Sequence, residues 1–329
     1  MRLRGWSFPF VAILLMASIG IAIVTGPAAI SLSETLRALT GADHDPARTI
    51  LLSLRMPRAG AAVLTGGGLA VSGALFQALL RNPLAEPWLL GVSAGAALGA
   101  VGAMALGVAG SGAAALPLAA LAGALVAIAI VFRVAWSVDR LDTGVLLLAG
   151  VVTSAFFGAC VMLVLTFAGH TLVRSALFWT LGGLSGVSWH EVGILAAYVV
   201  PAGVGAFGMS RHLNALSLGE DTAATLGTDV EKIKLLSFLI ASLLAAATVA
   251  VAGVIGFVGL VVPHTVRLLS GGDHRTLIPL SFLLGGALLV ITDTLARSIA
   301  SPLEIPVGVV TAFVGVPLFM VLLRRRYVR

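Results

Sequence analysis

Charge is scarce in this sequence: Asp, Glu, Lys and Arg make up 10% of its 329 residues, while 59% are hydrophobic and the mean hydropathy is +1.09. Cysteine is rarer still. The one present, Cys160, lies inside an apolar run, so no disulfide framework exists and the redox compartment cannot be read from cysteine usage. Lysine is confined to Lys232 and Lys234, neither follows a glycine loop, and no G-x-x-x-x-G-K-[ST] occurs, which excludes ATP hydrolysis by that route. H-E-x-x-H is missing as well, because His190-Glu191 has no second histidine, and no Cys/His cluster is present to hold zinc. No catalytic group, metal or cofactor is therefore expected.

What is present is length in apolar runs. Stretches of about 20 residues, each enough to cross roughly 30 Å of hydrocarbon as a helix, fall near 8–30, 58–80, 88–109, 113–136, 143–167, 190–209, 233–252, 254–270, 277–296 and 306–323. They are apolar throughout, with none of the polar/apolar alternation of a β-barrel strand. The expectation is an all-α polytopic membrane protein with about ten transmembrane helices, forming one domain over 1–329. The net charge of +6 does not point to nucleic acid, since the basic residues flank apolar spans.

With the N-terminus inside the cell, the cytoplasmic set is Arg2, Arg4, Arg81, Arg133, Arg140, Arg211, Lys232, Lys234, Arg267, Arg275, Arg324, Arg325, Arg326 and Arg329. Arg37, Arg48, Arg55, Arg58, Arg174 and Arg297 fall outside, a split of 14 to 6 that favours this orientation and puts both termini in the cytoplasm. Arg55 and Arg58 are exceptions that need a reason. A first segment of about 20 apolar residues is too long for a signal-peptide core and reads as a retained span.

Several spans are interrupted, by Asn82-Pro83-Leu84-Ala85-Glu86-Pro87 and by the run from Gly253 to Pro263. Broken helices at membrane depth belong where backbone is buried in protein or lines a path. An A-V-x-G followed by proline recurs at Ala70 to Pro83 and Ala250 to Pro263, a weak hint of a repeated half. The polar stretch Leu213 to Lys234 reads as one or two short surface helices: Gly219 and Gly227 bracket Glu220 and Asp221, and Thr228-Asp229-Val230-Glu231 fits a capping box that launches the next span.

Six ordered blocks resemble the permease subunits of FecCD-type ABC importers, from about residue 50 to the C-terminus. They are Leu54 to Ala100, LLLAG at Leu146 to Gly150, FWTLGGLSGVSW at Phe178 to Trp189, LNALSLGEDTAATLG at Leu213 to Gly227, GFVGLVVPHTVRLLSGGDHR at Gly256 to Arg275, and IPVGVVTAFVGVP at Ile305 to Pro317. The resemblance implies a type II ABC importer: a homodimer in the bacterial inner membrane, two separate ATP-binding subunits, a periplasmic substrate-binding protein, and haem, a ferric siderophore or cobalamin as cargo. It implies ATPase coupling through Gly219, Glu220, Asp221, Thr222, Ala223, Ala224, Leu226 and Gly227, within short cytoplasmic helices at about 213–230. Arg55, Arg58 and Arg297 match positions that meet glutamates of the binding protein. Asn82, Leu84, Asp142, Thr143 and Gly144 match the cytoplasmic gate, although Asp142 stands where relatives commonly carry small hydroxyl residues. Ser154, Gly158, Gly308 and Thr311 match the pathway lining.

Asp293 is the one carboxylate expected within a span, and Arg297 four residues on suggests a structural pair rather than a proton relay. His170 and His190 are isolated and read as ordinary interfacial residues rather than haem ligands. Two rival functions remain: a serine hydrolase, from Gly91-Val92-Ser93-Ala94-Gly95 and Gly183-Leu184-Ser185-Gly186, and an ion-coupled secondary transporter, which calls for several buried acids.

Overall fold

The computed structural model describes residues 7–27, 32–40, 46–112, 114–136 and 141–327. Among the described residues every regular element is helical. The order is α1 (Ser7–Val24), α2 (Leu32–Thr40), α3 (Pro46–Thr49), a π-helical turn (Ile50–Arg55), α4 (Met56–Leu79), a 3-10 turn (Pro87–Leu90), α5 (Val92–Ala105), α6 (Ala115–Ala135), α7 (Thr143–Thr166), α8 (His170–Thr180) and α9 (Trp189–Gly208). There follow α10 (Ser210–Leu216), α11 (Glu220–Thr225), α12 (Val230–Ala252), α13 (Val258–Ser270), α14 (His274–Ser298) and α15 (Val307–Tyr327).

The ten expected spans correspond to α1, α4, α5, α6, α7, α9, α12, α13, α14 and α15. Among the described residues, seven segments are long and apolar enough to cross a membrane, while α5, α13 and α15 contribute shorter apolar stretches. Boundaries shifted where glycine and proline act: the first span ends at Val24, ahead of Gly26-Pro27, rather than at 30. Helices α2 and α8 were not foreseen, being short and amphipathic rather than uniformly apolar. Arg2, Arg4, Arg140 and Arg329 of the charge split lie outside the described residues.

Helix α4 is the axis of the bundle. Every residue from Thr65 to Leu79 is buried, and α9, α12, α13 and α14 pack around it. Its glycines weaken an isolated helix but allow backbones to approach closely where apolar burial alone gives little preference between neighbours. At Gly73 a Cβ would lie 1.9 Å from the carbonyl oxygen of Gly259 on α13, and at Gly66 it would lie 2.2 Å from that of Gly285 on α14.

The recurring A-V-x-G does not fold twice in the same way. Helix α4 runs straight through Gly73, whereas α12 ends at Gly253, whose φ of +67° only glycine adopts cheaply. There the Ala252 carbonyl accepts the Gly183 N–H at 2.8 Å, so the α12–α13 break is stitched to the loop after α8.

Candidate functional site

Three sets of residues stand apart from this apolar frame. The first is the short α11. Gly219 (φ +118°) and Gly227 (φ +79°) turn the chain sharply at either side, and Ala223 is buried beneath the helix. Asp221, Thr222, Ala224 and Thr225 face solvent, flanked by Leu218 and Leu226 at 68% and 61% exposure. Apolar side chains that bare, flanking a fixed helix with an acidic first turn, make a small exposed knob.

The knob is anchored on two sides. Glu220 pairs with Lys234 of α12 at 2.7 Å. From α10, Asn214 donates to Asp273 at 2.8 Å and accepts the His274 N–H at 2.9 Å, which joins α10 to the start of α14. The cap of α12 corrects the expected capping box. Asp229, not Thr228, is the N-cap, accepting the Lys232 N–H at 3.1 Å. Thr228 turns inward to His212 Nδ1 at 3.4 Å, and Glu231 reaches away to the Leu141 N–H at 3.1 Å.

Asp273 also caps α14, accepting the Arg275 N–H at 3.0 Å. The hydrogen bond from Asn214, then that backbone N–H and the nearby Arg275 and His274 charges, hold its carboxyl below the usual carboxylate range against slight burial. A depressed folded value adds stability that is present above the unfolded pKa of about 3.9 and is lost as pH falls through the folded value. Asp273→Ala is therefore expected to cost about 1 kcal/mol at neutral pH. In thermal melts in one detergent, its gap from the parent protein should narrow below about pH 4.

The second set surrounds a cavity of about 570 Å³ lined by Glu86, Trp88, Leu181, Phe257, Gly308, Phe313 and neighbours. Among the described residues Glu86 is the one charged group on that lining, and its carboxylate accepts the Phe257 N–H and a hydrogen bond from the Trp88 side chain. Phe257 holds a φ of +68°, an uncommon value for a bulky residue. Sequence reasoning flagged both breaks, around Glu86 and from Gly253 to Pro263, but not the hydrogen bond that joins Glu86 to Phe257, which no local pattern marks.

Of the four expected lining residues, Gly308 lies on this cavity. Thr311 borders a smaller void and donates to the Gly308 carbonyl at 3.0 Å. Ser154 Oγ is buried without a hydrogen-bond partner, and Gly158 has open space where a Cβ would go.

The expected gate residues form two turns. Asn82 Oδ1 accepts the Leu84 N–H at 2.9 Å, closing the turn after α4. Asp142 caps α7, accepting from Gly144 at 2.8 Å and Val145 at 2.9 Å, with Thr143 as the first helical residue. Its departure from a small hydroxyl residue is conservative in this role, because both types cap helices. Helix α7 also packs on the 3-10 turn that follows the first of the two turns: Gly91 lies against Thr153, and a Cβ at Gly150 would meet the Leu89 carbonyl at 2.6 Å.

The third set lies at the opposite end of the bundle from α11. Arg58 places Nε and Nη2 on Asp293 at 3.0–3.1 Å and reaches Glu304 at 2.9 and 3.1 Å. Arg297 meets Asp293 at a loose 3.8 Å and donates to the Ala22 carbonyl. Arg55 donates to the carbonyls of Ile23 and Val24, each at 2.8 Å. Two guanidinium groups thus satisfy the orphan carbonyls at the C-terminus of α1, where cations are also favoured by the helix dipole.

Here lies a structural reason for Arg55 and Arg58 at that end. The expected Asp293–Arg297 pair exists, but the principal partner of Asp293 is Arg58. Burial works against ionisation of Glu304, yet the hydrogen bond and charge of Arg58, with help from Ser185 and Arg297, hold its carboxyl below the usual range. A cavity of about 270 Å³ opens between Pro27, Leu54, the three arginines and Glu304.

Neither rival gains support. Ser93 follows a 3-10 turn and a glycine cap, and no strand precedes it among the described residues, so no nucleophile elbow forms. Asp293 is committed to Arg58 rather than standing open on a path. His170 and His190 are exposed at the starts of α8 and α9.

Comparison with known proteins agrees with this geometry. The model of the FecCD transport family matches residues 14–325. The cobalamin import system permease protein BtuC of Halobacterium salinarum is 43% identical, covering 87% of this chain and 76% of its own. The hemin transport system permease protein HmuU of Yersinia pestis is 38% identical, covering 90% of each chain. A solved structure described as an inward-facing conformation of an ABC transporter assigned to the metal-chelate type superposes with a TM-score of 0.85 at 29% identity, covering 96% of this chain and 98% of that one. Its type II importer architecture is the one found here. The chain belongs to the FecCD transport family, as the membrane permease subunit of an ABC importer that is not itself an ATPase.

Proposed function

We propose that this permease pairs with a second copy of itself in the bacterial inner membrane and passes an iron chelate, haem or a ferric siderophore, inward. Two separate ATP-binding subunits engage α11 on the cytoplasmic face, where both termini also lie. A periplasmic binding protein docks at the opposite end, on the rim of the cavity walled by Arg55, Arg58 and Arg297. Three guanidinium groups facing two carboxylates leave an excess positive charge there, suited to steering an acidic partner. The gate would sit at the turns of Asn82 and Leu84 and of Asp142 to Gly144, with the path bordered by Ser154, Gly158, Gly308 and Thr311.

The observation that carries this reading is α11: a short helix with bare Asp221, flanked by bare Leu218 and Leu226, anchored directly to α12 and through α10 to α14, so that a push on it reaches the bundle. Only differential contact in two states can shift a conformational equilibrium, and α11 offers that contact. Because Glu220 is engaged by Lys234, the docking face is better tested at Asp221 and Leu226. The double variant Asp221→Lys, Leu226→Asp is expected to reduce the co-purified ATP-binding subunit about tenfold or more, on the scale of an interface hot spot, with the permease still monodisperse. Retention of that subunit at parental levels overturns the reading.

Cobalamin is a second reading, favoured by the 43% identical cobalamin permease. Proteoliposomes holding the complex and its binding protein, offered haem, a ferric hydroxamate and cobalamin in turn, separate the two by which cargo enters and accelerates ATP hydrolysis.

A further inference from the structure

Lys234 is buried, with 4% of its surface exposed, on the first turns of α12. Burying an ammonium group is costly unless it is paired and fully hydrogen-bonded. Here it has three acceptors from three places in the chain: Glu220 Oε2 on α11 at 2.7 Å, Glu231 Oε1 on its own helix at 3.4 Å, and the Leu141 carbonyl at 3.4 Å. The second oxygen of Glu231 accepts the Leu141 N–H at 3.1 Å. Lys234 and Glu231 therefore grip both peptide groups of Leu141, whose side chain is itself fully buried. The next residue is Asp142, the N-cap of α7.

We infer that Lys234 is a positioning residue that carries displacement of α11 into the first turn of α7, and so to the gate and the cavity. The inference rests on the proposed ATPase docking at α11. The links run from Glu220 to Lys234 at 2.7 Å, from Lys234 to the Leu141 carbonyl at a longer 3.4 Å, from Leu141 by one peptide to Asp142, and from Asp142 to the N–H groups of Gly144 and Val145. Helix α7 then bears on the 3-10 turn beside Trp88 and Glu86 through Gly150 and Thr153. The other lysine, Lys232, points to solvent and provides a control with the same chemistry.

A purely structural anchor and a transmitting one differ in what survives its removal. Without the ammonium group, Glu220 and Glu231 lose their shared cation and α11 is freed from Leu141, while the Asp221–Leu226 face that meets the ATPase is untouched. Loss of transmission should uncouple ATP hydrolysis from transport rather than abolish both.

The test uses the assembled complex with its ATP-binding subunits and binding protein in proteoliposomes, in a Cys160→Ser background carrying Thr143→Cys as a thiol reporter. In the parent, reactivity of the Thr143→Cys thiol should change on adding ATP. In Lys234→Met, ATP hydrolysis is expected to stay within about twofold of the parent while cargo moved per ATP falls about tenfold, a size typical of coupling between sites, and the reporter ceases to respond to ATP. Lys234→Arg should restore most of the coupling, and Lys232→Met should match the parent.

The inference is overturned if Lys234→Met moves the parental amount of cargo per ATP, or if hydrolysis and transport fall together while the reporter still responds. Should Lys234→Met fail to assemble, Glu220→Gln decides instead: it keeps an acceptor but weakens the ion pair, and undiminished cargo per ATP in that variant also overturns the inference. If the parent permease binds no ATP-binding subunit, the functional proposal itself has failed, which is a distinct result.

Discussion

Replacing Arg58 by methionine is expected to cost about 3–5 kcal/mol of folding stability, because it leaves two acids without their main cation. The side chains of Arg58 and Asp293 are 13% and 4% exposed, so water has little access to either group. Arg297 cannot take over, since it lies 3.8 Å from Asp293 and already serves the end of α1. The informative comparison is the triple variant Arg58→Met, Asp293→Asn, Glu304→Gln, in which cation and anions are removed together. Replacing a buried ion pair together with its partners is often close to neutral, and Arg55 and Arg297 keep their bonds to the α1 carbonyls, so the triple variant should recover most of the loss. Thermal melts of both variants in one detergent decide the matter. Equal stability of the single variant and the parent would mean that the network is solvated rather than buried. A parallel measurement of binding-protein affinity in the triple variant separates docking from folding, since Arg58 is then missing from the rim while Arg55 and Arg297 stay on the end of α1.

Gly73→Val is the second large effect. Nothing in side-chain chemistry makes Gly73 special; the backbone of α13 does, since the Gly259 carbonyl oxygen and carbon lie 1.9 and 2.5 Å from where a Cβ would stand. No rotamer relieves a clash between a Cβ and a backbone carbonyl, so α4 and α13 must separate. Overpacking in a well-filled interior costs about 1–3 kcal/mol even where flexible side chains can yield, and here both partners are helical backbone. Gly73→Val should therefore sharply reduce the monodisperse fraction in size-exclusion chromatography. Gly158→Ala is the matched control, with open space around its Cβ. It should be neutral or gain up to about 1 kcal/mol from helix propensity. If the two behaved alike, close backbone contact would not be what holds α4 at the axis.

The ten apolar segments and the polar interruption at 213–230 were legible in the sequence because hydropathy over about 20 residues is a local property. The sharp ends of α11 were legible too, since Gly219 and Gly227 announce turns. What was not legible is pairing across the chain. Arg58 and Asp293 are 235 positions apart, and a single sequence suggests only the i,i+4 neighbour Arg297, which proves the looser partner. The cap of α12 was misjudged for a related reason: Thr228 and Asp229 are both capping residues, and the choice was made by the pull of His212 and Leu141, which are remote in sequence. The hydrogen-bonded pair of Glu86 and Phe257 joins two separate breaks, each visible alone, whose meeting depends on α4, α12 and α13 packing together.

The guanidinium groups on the last carbonyls of α1 bear on how the protein is made. Helix α1 emerges from the ribosome early, yet the Ala22 carbonyl waits for a donor 275 residues downstream. Arg55 can serve the Ile23 and Val24 carbonyls early, but until α14 has been inserted the Ala22 carbonyl must borrow a lipid head group or water, so nascent chains halted before Arg297 carry one unsealed group there. The first of the described helices is thus locked by one of the last, and a quality-control protease that tested that group would distinguish chains that hold Arg297 from those that do not.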